Sequence, residues 1–261
     1  MGTPTFELED AVIDAWPAAE CEELDGWCLR ATSGPSRQAN SAATLSAGKA
    51  LTLMDRLERV EAFYGARGQA ATFYVGPSST PSGLDEALQE RGYAKEGESL
   101  AATSRPLDVV SRLARTLETS IGTSLTETWW QHSSLSSPDA GAAETFRGTV
   151  ERLGTRCRFV TTRGSRGNVT GTCLGITSEQ RLGVYNLHTC EGSNLGTATA
   201  LLRALAECAL AERMSELYLL IELDDTAARP LYEQAGLEQA GFTEAFRYHY
   251  RVLSGSAAPS R

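Results

Sequence analysis

The sequence predicts an α/β (α+β) protein of two halves, each alternating strands with helices. Short apolar runs bounded by glycine and polar turns alternate with stretches whose apolar residues recur every three or four positions. The order strand–helix–strand–helix–strand occurs in both halves. At 261 residues, with 41% hydrophobic and 22% charged side chains, the chain suits one large domain or two ordinary ones around a real core.

In the first half, residues 26–32 (GWCLRAT) and 39–45 read as two strands around the turn SGPSRQ. Leu51, Leu53, Met54, Leu57, Val60, Phe63 and Tyr64 recur at helical spacing and stop before Gly65 and Gly68. A short apolar strand follows over 71–75, a helix over 82–91 stopped by Gly92, an extended run over 94–104 and a helix over 106–117. The Thr/Ser-rich stretch 116–128 marks a boundary near residue 122. The second half reads as a strand over 125–132, a helix over 139–153 and three strands over 156–162, 168–177 and 181–189. A helix over 196–213, a strand over 216–222, a helix over 226–235, a strand over 242–251 and a flexible tail from residue 254 complete it. The stops RGY (91–93), AGL (235–237) and AGF (240–242) hint at a duplicated unit.

Bulk chemistry narrows the partners. A net charge of −9 argues against nucleic acid and is compatible with a cationic substrate. No apolar window of about 18 residues is present, which argues against a membrane span. The acidic start, MGTPTFELEDAVIDAW, lacks a signal pattern, and a cytoplasmic protein is expected. Six cysteines, at 21, 28, 157, 173, 190 and 208, form no C-x-x-C pair and no zinc-like spacing. No metal site is expected, and the thiols read as reduced. Cys190 alone stands in a glycine loop, as a reactive thiol or as a neighbour without a role.

That loop lies in VYNLHTCEGSNLGTATALLRAL, residues 184–205. An apolar run ends at Thr189, a polar loop follows, and Gly196-Thr197 opens an Ala/Leu-rich helix. Unpaired N–H groups of a first helical turn, with the helix dipole, make an anion site from backbone alone. The reading is a phosphate-bearing ligand.

With the segment 225–237, this stretch resembles the acyl-CoA-dependent N-acetyltransferases of the GNAT superfamily. Their Q/R-x-x-G-x-G/A loop cradles the CoA pyrophosphate. One register sets Glu191, Asn194 and Gly196 on that motif; the other sets Ser193, Gly196 and Ala198. The second keeps Gly196-Thr197-Ala198 intact and the usual spacing to Leu217-Tyr218-Leu219, and is adopted. It places Ser193 where the family has Arg or Gln. The resemblance then implies a cofactor site of Ser193, Asn194, Leu195, Gly196, Thr197 and Ala198, with Leu187 and Thr189 holding pantetheine through backbone groups of a splayed strand. The run DTAARPLYEQAGL resembles the family's N-x-x-A-x-x-L-Y-x-x-x-G-F. Asp225 stands for Asn and Leu237 for Phe, while Ala228, Leu231, Tyr232 and Gly236 match. Asp225 would bond the pantetheine arm or cap a helix. Tyr232 would protonate the departing thiolate, a phenol's pKa of about 10 being close to a thiol's. Glu222 and His188 are candidates for the base that deprotonates the amine.

The first half resembles the N-terminal region of two-domain bacterial acetyltransferases through GWCLRA, Arg37-Gln38-Ala39-Asn40-Ser41, Glu61-Ala62-Phe63-Tyr64 and Arg91-Gly92-Tyr93. That implies tandem GNAT-like mixed sheets flanked by helices. Residues 1–122 would form a degenerate half that helps enclose the substrate, and 123–253 the catalytic half. Arg37 and Asn40 would line the acceptor site or stabilise a turn. The expected activity is acetyl transfer from acetyl-CoA to a small-molecule amine, without metal, by a monomer or homodimer. The rivals are a non-catalytic acyl-CoA sensor and a structural binding module.

Overall fold

The computed structural model describes residues 4–136, 140–190, 195–223 and 237–253. The chain runs α1 (Pro4–Asp14), β1 (Glu20–Leu24), β2 (Trp27–Ala31), β3 (Ala42–Ala43), α2 (Leu53–Gly65), β4 (Thr72–Val75), α3 (Leu84–Glu90) and β5 (Tyr93–Ser104). It continues through α4 (Pro106–Arg112), β6 (Glu118–Gly122), α5 (Glu127–Gln131), α6 (Ala140–Leu153), β7 (Cys157–Arg163), β8 (Val169–Ser178) and β9 (Arg181–Thr189). The last elements are α7 (Leu195–Ala211), β10 (Glu216–Glu222) and β11 (Thr243–Leu253). Among the described residues no helix is long and apolar enough to cross a membrane.

Two compact units emerge: Met1–Ser99 with Phe246–Arg261, and Leu100–Ala245. The division falls upstream of residue 122, and the last strand returns to the first unit. The physical reason is α4. Its Val109, with Leu113, enters the core beneath α7, and Arg203 of α7 donates to the carbonyl of Val110 at 2.6 Å and to that of Leu113.

The first unit is a mixed sheet, with β2 antiparallel to β1 and β3, β3 parallel to β4, and β4 antiparallel to β11. Trp27, Leu57, Val60, Phe73, Leu88 and Tyr93 form its core. Trp27 and Tyr93 each meet Phe73 edge-on, with centroids 5.8 and 5.4 Å apart. Helix α2 opens on a capping box. Thr52 Oγ1 accepts from Asp55 N and Asp55 Oδ2 accepts from Thr52 N, both at 3.2 Å. The strand β11 is fastened by Arg251, whose Nε and Nη2 donate to Asp85 at 2.6 and 3.0 Å, and by His249 Nε2, 2.9 Å from Asp85 Oδ1. Sequence patterning gave no signal for α1 or β1. The strand β1 is an exposed acidic edge, ECEEL, with only Leu24 buried.

In the second unit the strand order is β10-β9-β8-β7-β6. Only the β9–β10 pair among these is parallel. Ala198, Leu201, Leu202, Leu205 and Ala209 of α7 bury against Cys173, Leu182, Val184, Leu217 and Leu219. Two glycines of β8 let the helix lie close. A Cβ at Gly171 would stand 2.6 Å from Thr197 Cγ2, and one at Gly175 2.6 Å from Leu205 Cδ2. On the other face, Trp129 of α5 donates Nε1 to Val160 O at 3.0 Å and meets Phe159 edge-on.

The expected strand over 125–132 is instead helix α5, and a strand, β6, precedes it. Thr126 Oγ1 caps α5 by accepting from Trp129 N at 3.2 Å. The strand β6 is an almost wholly exposed edge, so no apolar alternation marked it. The helix expected over 226–235 and the tail from 254 lie outside the described residues.

Candidate active site

The parallel ladder pairs Glu216 with Arg181, Leu217 with Leu182, Tyr218 with Gly183 and Leu219 with Val184. Both strands run on past this point, to Glu222 and Thr189, with no further paired positions among the described residues. The cause lies on the other side of β9. There Leu174 pairs with Tyr185 but Thr172 with His188, so Asn186 and Leu187 together oppose Cys173. That is a β-bulge, which bends the strand that carries it. Asn186 sits in it at φ +48°, a left-handed backbone that asparagine tolerates better than branched residues.

Strand alternation then sorts the candidate groups. Leu182, Val184 and Leu187 of β9, with Leu217 and Leu219 of β10, belong to the core under α7. Tyr185, His188, Tyr218 and Glu222 fall in the opposite phase, so the two candidate bases share one face. On it the hydroxyls of Tyr185 and Tyr218 lie 3.2 Å apart. Thr172, paired with His188, donates Oγ1 to the carbonyl of His132 at 3.1 Å. Burial holds the His188 imidazole below its ordinary pKa, and the field of His132 adds to this. A neutral imidazole can accept a proton.

The helix α7 starts at Leu195, one residue before the expected Gly196. Thr197 and Ala198 are each 1% exposed, and Thr197 rests its methyl over Gly171, where the carbonyl of His188 also approaches. Their side chains are therefore packing, and backbone is what this turn offers a ligand. Leu187 is likewise buried, while Thr189 is half-buried at the end of β9. Cys190 donates its N–H to Thr170 O at 2.9 Å, and burial pushes its thiol up, away from the reactive thiolate.

Ser193, Asn194, Asp225, Ala228 and Tyr232 lie outside the described residues. In the first unit Asn40 stabilises a turn. Its Oδ1 accepts from Thr32 N at 2.7 Å and its Nδ2 donates to Gly34 O at 2.9 Å. Arg37 pairs with Glu96 at 3.2 Å. Pattern reading overlooked Asn186, His132, the Tyr185–Tyr218 pair and the role of Gly171. Only the glycine spacing in GTCLG hinted at a close helix.

A mixed sheet whose one parallel pair parts at a bulge, beside a helix start, is the frame of a GNAT-type N-acetyltransferase, a class that uses an acyl-CoA as cosubstrate. Residues 5–251 match the family described as "Probable histone acetyltransferase Rv0428c C-terminal". The chain belongs to that family. It is 25% identical over 258 residues to the "Uncharacterized N-acetyltransferase YobR" of Bacillus subtilis (strain 168), covering 94% of this chain and 97% of that protein. Its fold resembles the GCN5-related N-acetyltransferase from Kribbella flavida, with TM-score 0.61, 12% identity and coverage of 98% and 97%. It also resembles a tandem GNAT protein from the clavulanic acid biosynthesis pathway, with TM-score 0.57, 16% identity and coverage of 85% and 76%.

Proposed function

We propose that this N-acetyltransferase takes acetyl-CoA as donor and the amine of a small molecule as acceptor: an amino acid, an amine metabolite or an antibiotic. Attack is direct, within a ternary complex. The observation that carries the reading is the parting of β9 and β10 beyond Val184 and Leu219, beside the start of α7.

The described residues suit an acyl-CoA. The bulge frees the end of β9 from its parallel neighbour, so backbone at Leu187 and Thr189 can serve the pantetheine arm as a neighbouring strand would. Residues Ser193 to Ala198 take the pyrophosphate on the N–H groups of the first turn of α7. Asp225 and Ala228 border the pantetheine. Bound acetyl-CoA supplies an activated thioester carbonyl. The amine nitrogen bonds to that carbon, the carbon–sulfur bond breaks, and Tyr232 gives its proton to the leaving sulfur. Glu222 or His188, directly or through water, removes the proton from the amine. Most of the acceleration comes from holding amine and thioester in line. We assign this work to the second unit, on small soluble amines in the cytoplasm.

The test is CoA release from acetyl-CoA, followed with a thiol reagent across an amine panel, with mass spectrometry of the product. Amine-dependent release is expected. Measurable CoA binding with no release for any amine overturns the enzymatic reading in favour of a sensor.

A further inference from the structure

Two cysteines of the first unit share one face of a hairpin. Strands β1 and β2 pair Cys21 with Arg30 and Glu23 with Cys28. Directly opposed residues, and residues two apart along a strand, point to the same face. Cys21 and Cys28 are therefore diagonal neighbours, on the face away from the core residues Leu24, Trp27 and Leu29. Their thiols meet in a side-chain hydrogen bond. Among the described residues, none of the other four thiols comes under the influence of a second one.

The two differ in access. Cys21 is exposed and Cys28 half-buried. Burial, and then the neighbouring Cys21, pushes the Cys28 thiol up to about 11. Cys28 is thus a poor first nucleophile, and Cys21 is the one a solute meets. The turn end of the hairpin is fixed. Its two residues, Asp25 and Gly26, have φ +45° and +88°, and the Asp25 carboxylate accepts from the N–H groups of Lys49 and Leu51 at 2.9 and 3.0 Å. The open end is looser: β1 buries only Leu24, and Glu20 is held at the surface by Arg67 at 2.9 Å. Diagonal neighbours stand about 7–8 Å apart, and a disulfide prefers a Cα separation of about 5.5–6 Å. Closing a bridge draws that end of β1 in by roughly 1–2 Å. A bridge made under such strain is readily reduced.

We propose that Cys21 and Cys28 form a modification site, which a hydroperoxide closes to a disulfide and a dithiol reopens. With hydrogen peroxide, the Cys21 sulfur, as thiolate, bonds to one oxygen, the O–O bond breaks, and hydroxide leaves and takes up a proton to become water. Cys21 is then a sulfenic acid. The Cys28 sulfur gives up its proton and bonds to the Cys21 sulfur, the S–O bond breaks, and the oxygen leaves as a second water. Two electrons pass from the sulfurs to the peroxide. The positive charge of Arg30 favours the Cys28 thiolate in the second step. The site stands apart from the acyl-transfer reading, and its test does not involve turnover.

The experiment treats the reduced, folded full chain with hydrogen peroxide, blocks the remaining thiols with an alkylating reagent and reads the products by mass spectrometry. Cleavage at Glu22 and Glu23, which lie between the two cysteines, separates their peptides unless a bridge joins them. The expected result is a joined pair of peptides, the loss of two alkylatable thiols, and recovery of both with dithiothreitol. Cys21→Ser, at an exposed position, removes the bridge and leaves Cys28 alkylatable, whereas Cys208→Ser keeps the bridge. No joined peptides, a bridge between two copies through Cys21, or Cys21 carried on to the sulfinic acid while Cys28 stays free overturns the proposal.

Discussion

Tyr185 and Tyr218 meet across β9 and β10, hydroxyl to hydroxyl at 3.2 Å and ring edge to face, beside the last paired positions of the two strands. Gly183 makes the room, since a Cβ there would lie 2.5 Å from each ring. The pair clips the ladder shut just before it opens. Tyr218→Phe removes the contact from a fully buried position. About 1 kcal/mol of stability should be lost, read by urea unfolding. The KM for acetyl-CoA should rise while kcat holds. A fall in kcat with KM unchanged would mean the hydroxyl takes part in the chemistry.

Gly171 and Gly175 offer a matched comparison. Alanine at either presses on α7, at Thr197 or at Leu205, and each should cost about 1–3 kcal/mol. Only Gly171 lies under the first turn of the helix. Gly171→Ala should weaken CoA binding several-fold by calorimetry and Gly175→Ala should leave it near wild type. Equal effects on CoA would remove the helix start from the binding site.

For Tyr232, replacement by Phe should lower kcat roughly 100-fold or more, the usual scale for a lost general acid, with CoA affinity retained. The loop register has its own check. Ser193→Arg should tighten CoA if residues 193–198 hold the pyrophosphate. Tightening by Glu191→Arg instead would move the site upstream.

His188 and Glu222 separate by pH. Burial depresses the His188 pKa, so a base at that position gives a kcat/KM profile whose acid limb has its midpoint below the ordinary imidazole value of about 6.5. His188→Gln should erase that limb and Glu222→Gln should not; the reverse assigns the base to Glu222. The same shift bears on stability. The unfolded chain binds the His188 proton more readily than the folded one. Its contribution is therefore complete above about pH 6.5 and declines as the pH falls from there towards the folded value.

Asp85 is one source of acid sensitivity in the first unit, beside Glu61, whose carboxyl Arg91 also lowers. The Arg251 guanidinium, with His249, holds its carboxyl at about 2. Its stabilisation is present above the ordinary carboxylate range and is lost as the pH falls through about 2. Asp85→Asn leaves the buried Arg251 with weaker partners and should cost about 1–3 kcal/mol at neutral pH in urea. It should also flatten the acid dependence. An unchanged acid profile would place the sensitivity elsewhere.

Elements with one buried face were legible in the sequence. Leu57, Val60 and Tyr64 announced α2, and the three strands β7, β8 and β9 appeared as alternating apolar runs. Exposed edges were not: β1 and β6 turn charge and hydroxyls to solvent on both faces, so nothing periodic marks them. Trp129 and Trp130 read as a strand because two adjacent aromatics look alike in either state, and only the Thr126 cap decides for helix. At the site, residue types identified His188 and Glu222 as candidates. That they share a face follows from the bulge at Asn186, a register shift that leaves no compositional trace.

The return of β11 to the first unit has a consequence for biosynthesis. A nascent chain emerging in order has the whole of Leu100–Ala245 before Phe246–Leu253, the segment that pairs with β4 and seats Arg251 on Asp85. At about 5–20 residues per second, the first unit waits roughly 10–30 s for its last strand after Ser99 is made. The half synthesised first is thus completed last. Through that interval β4 lacks the antiparallel neighbour it has in the finished sheet.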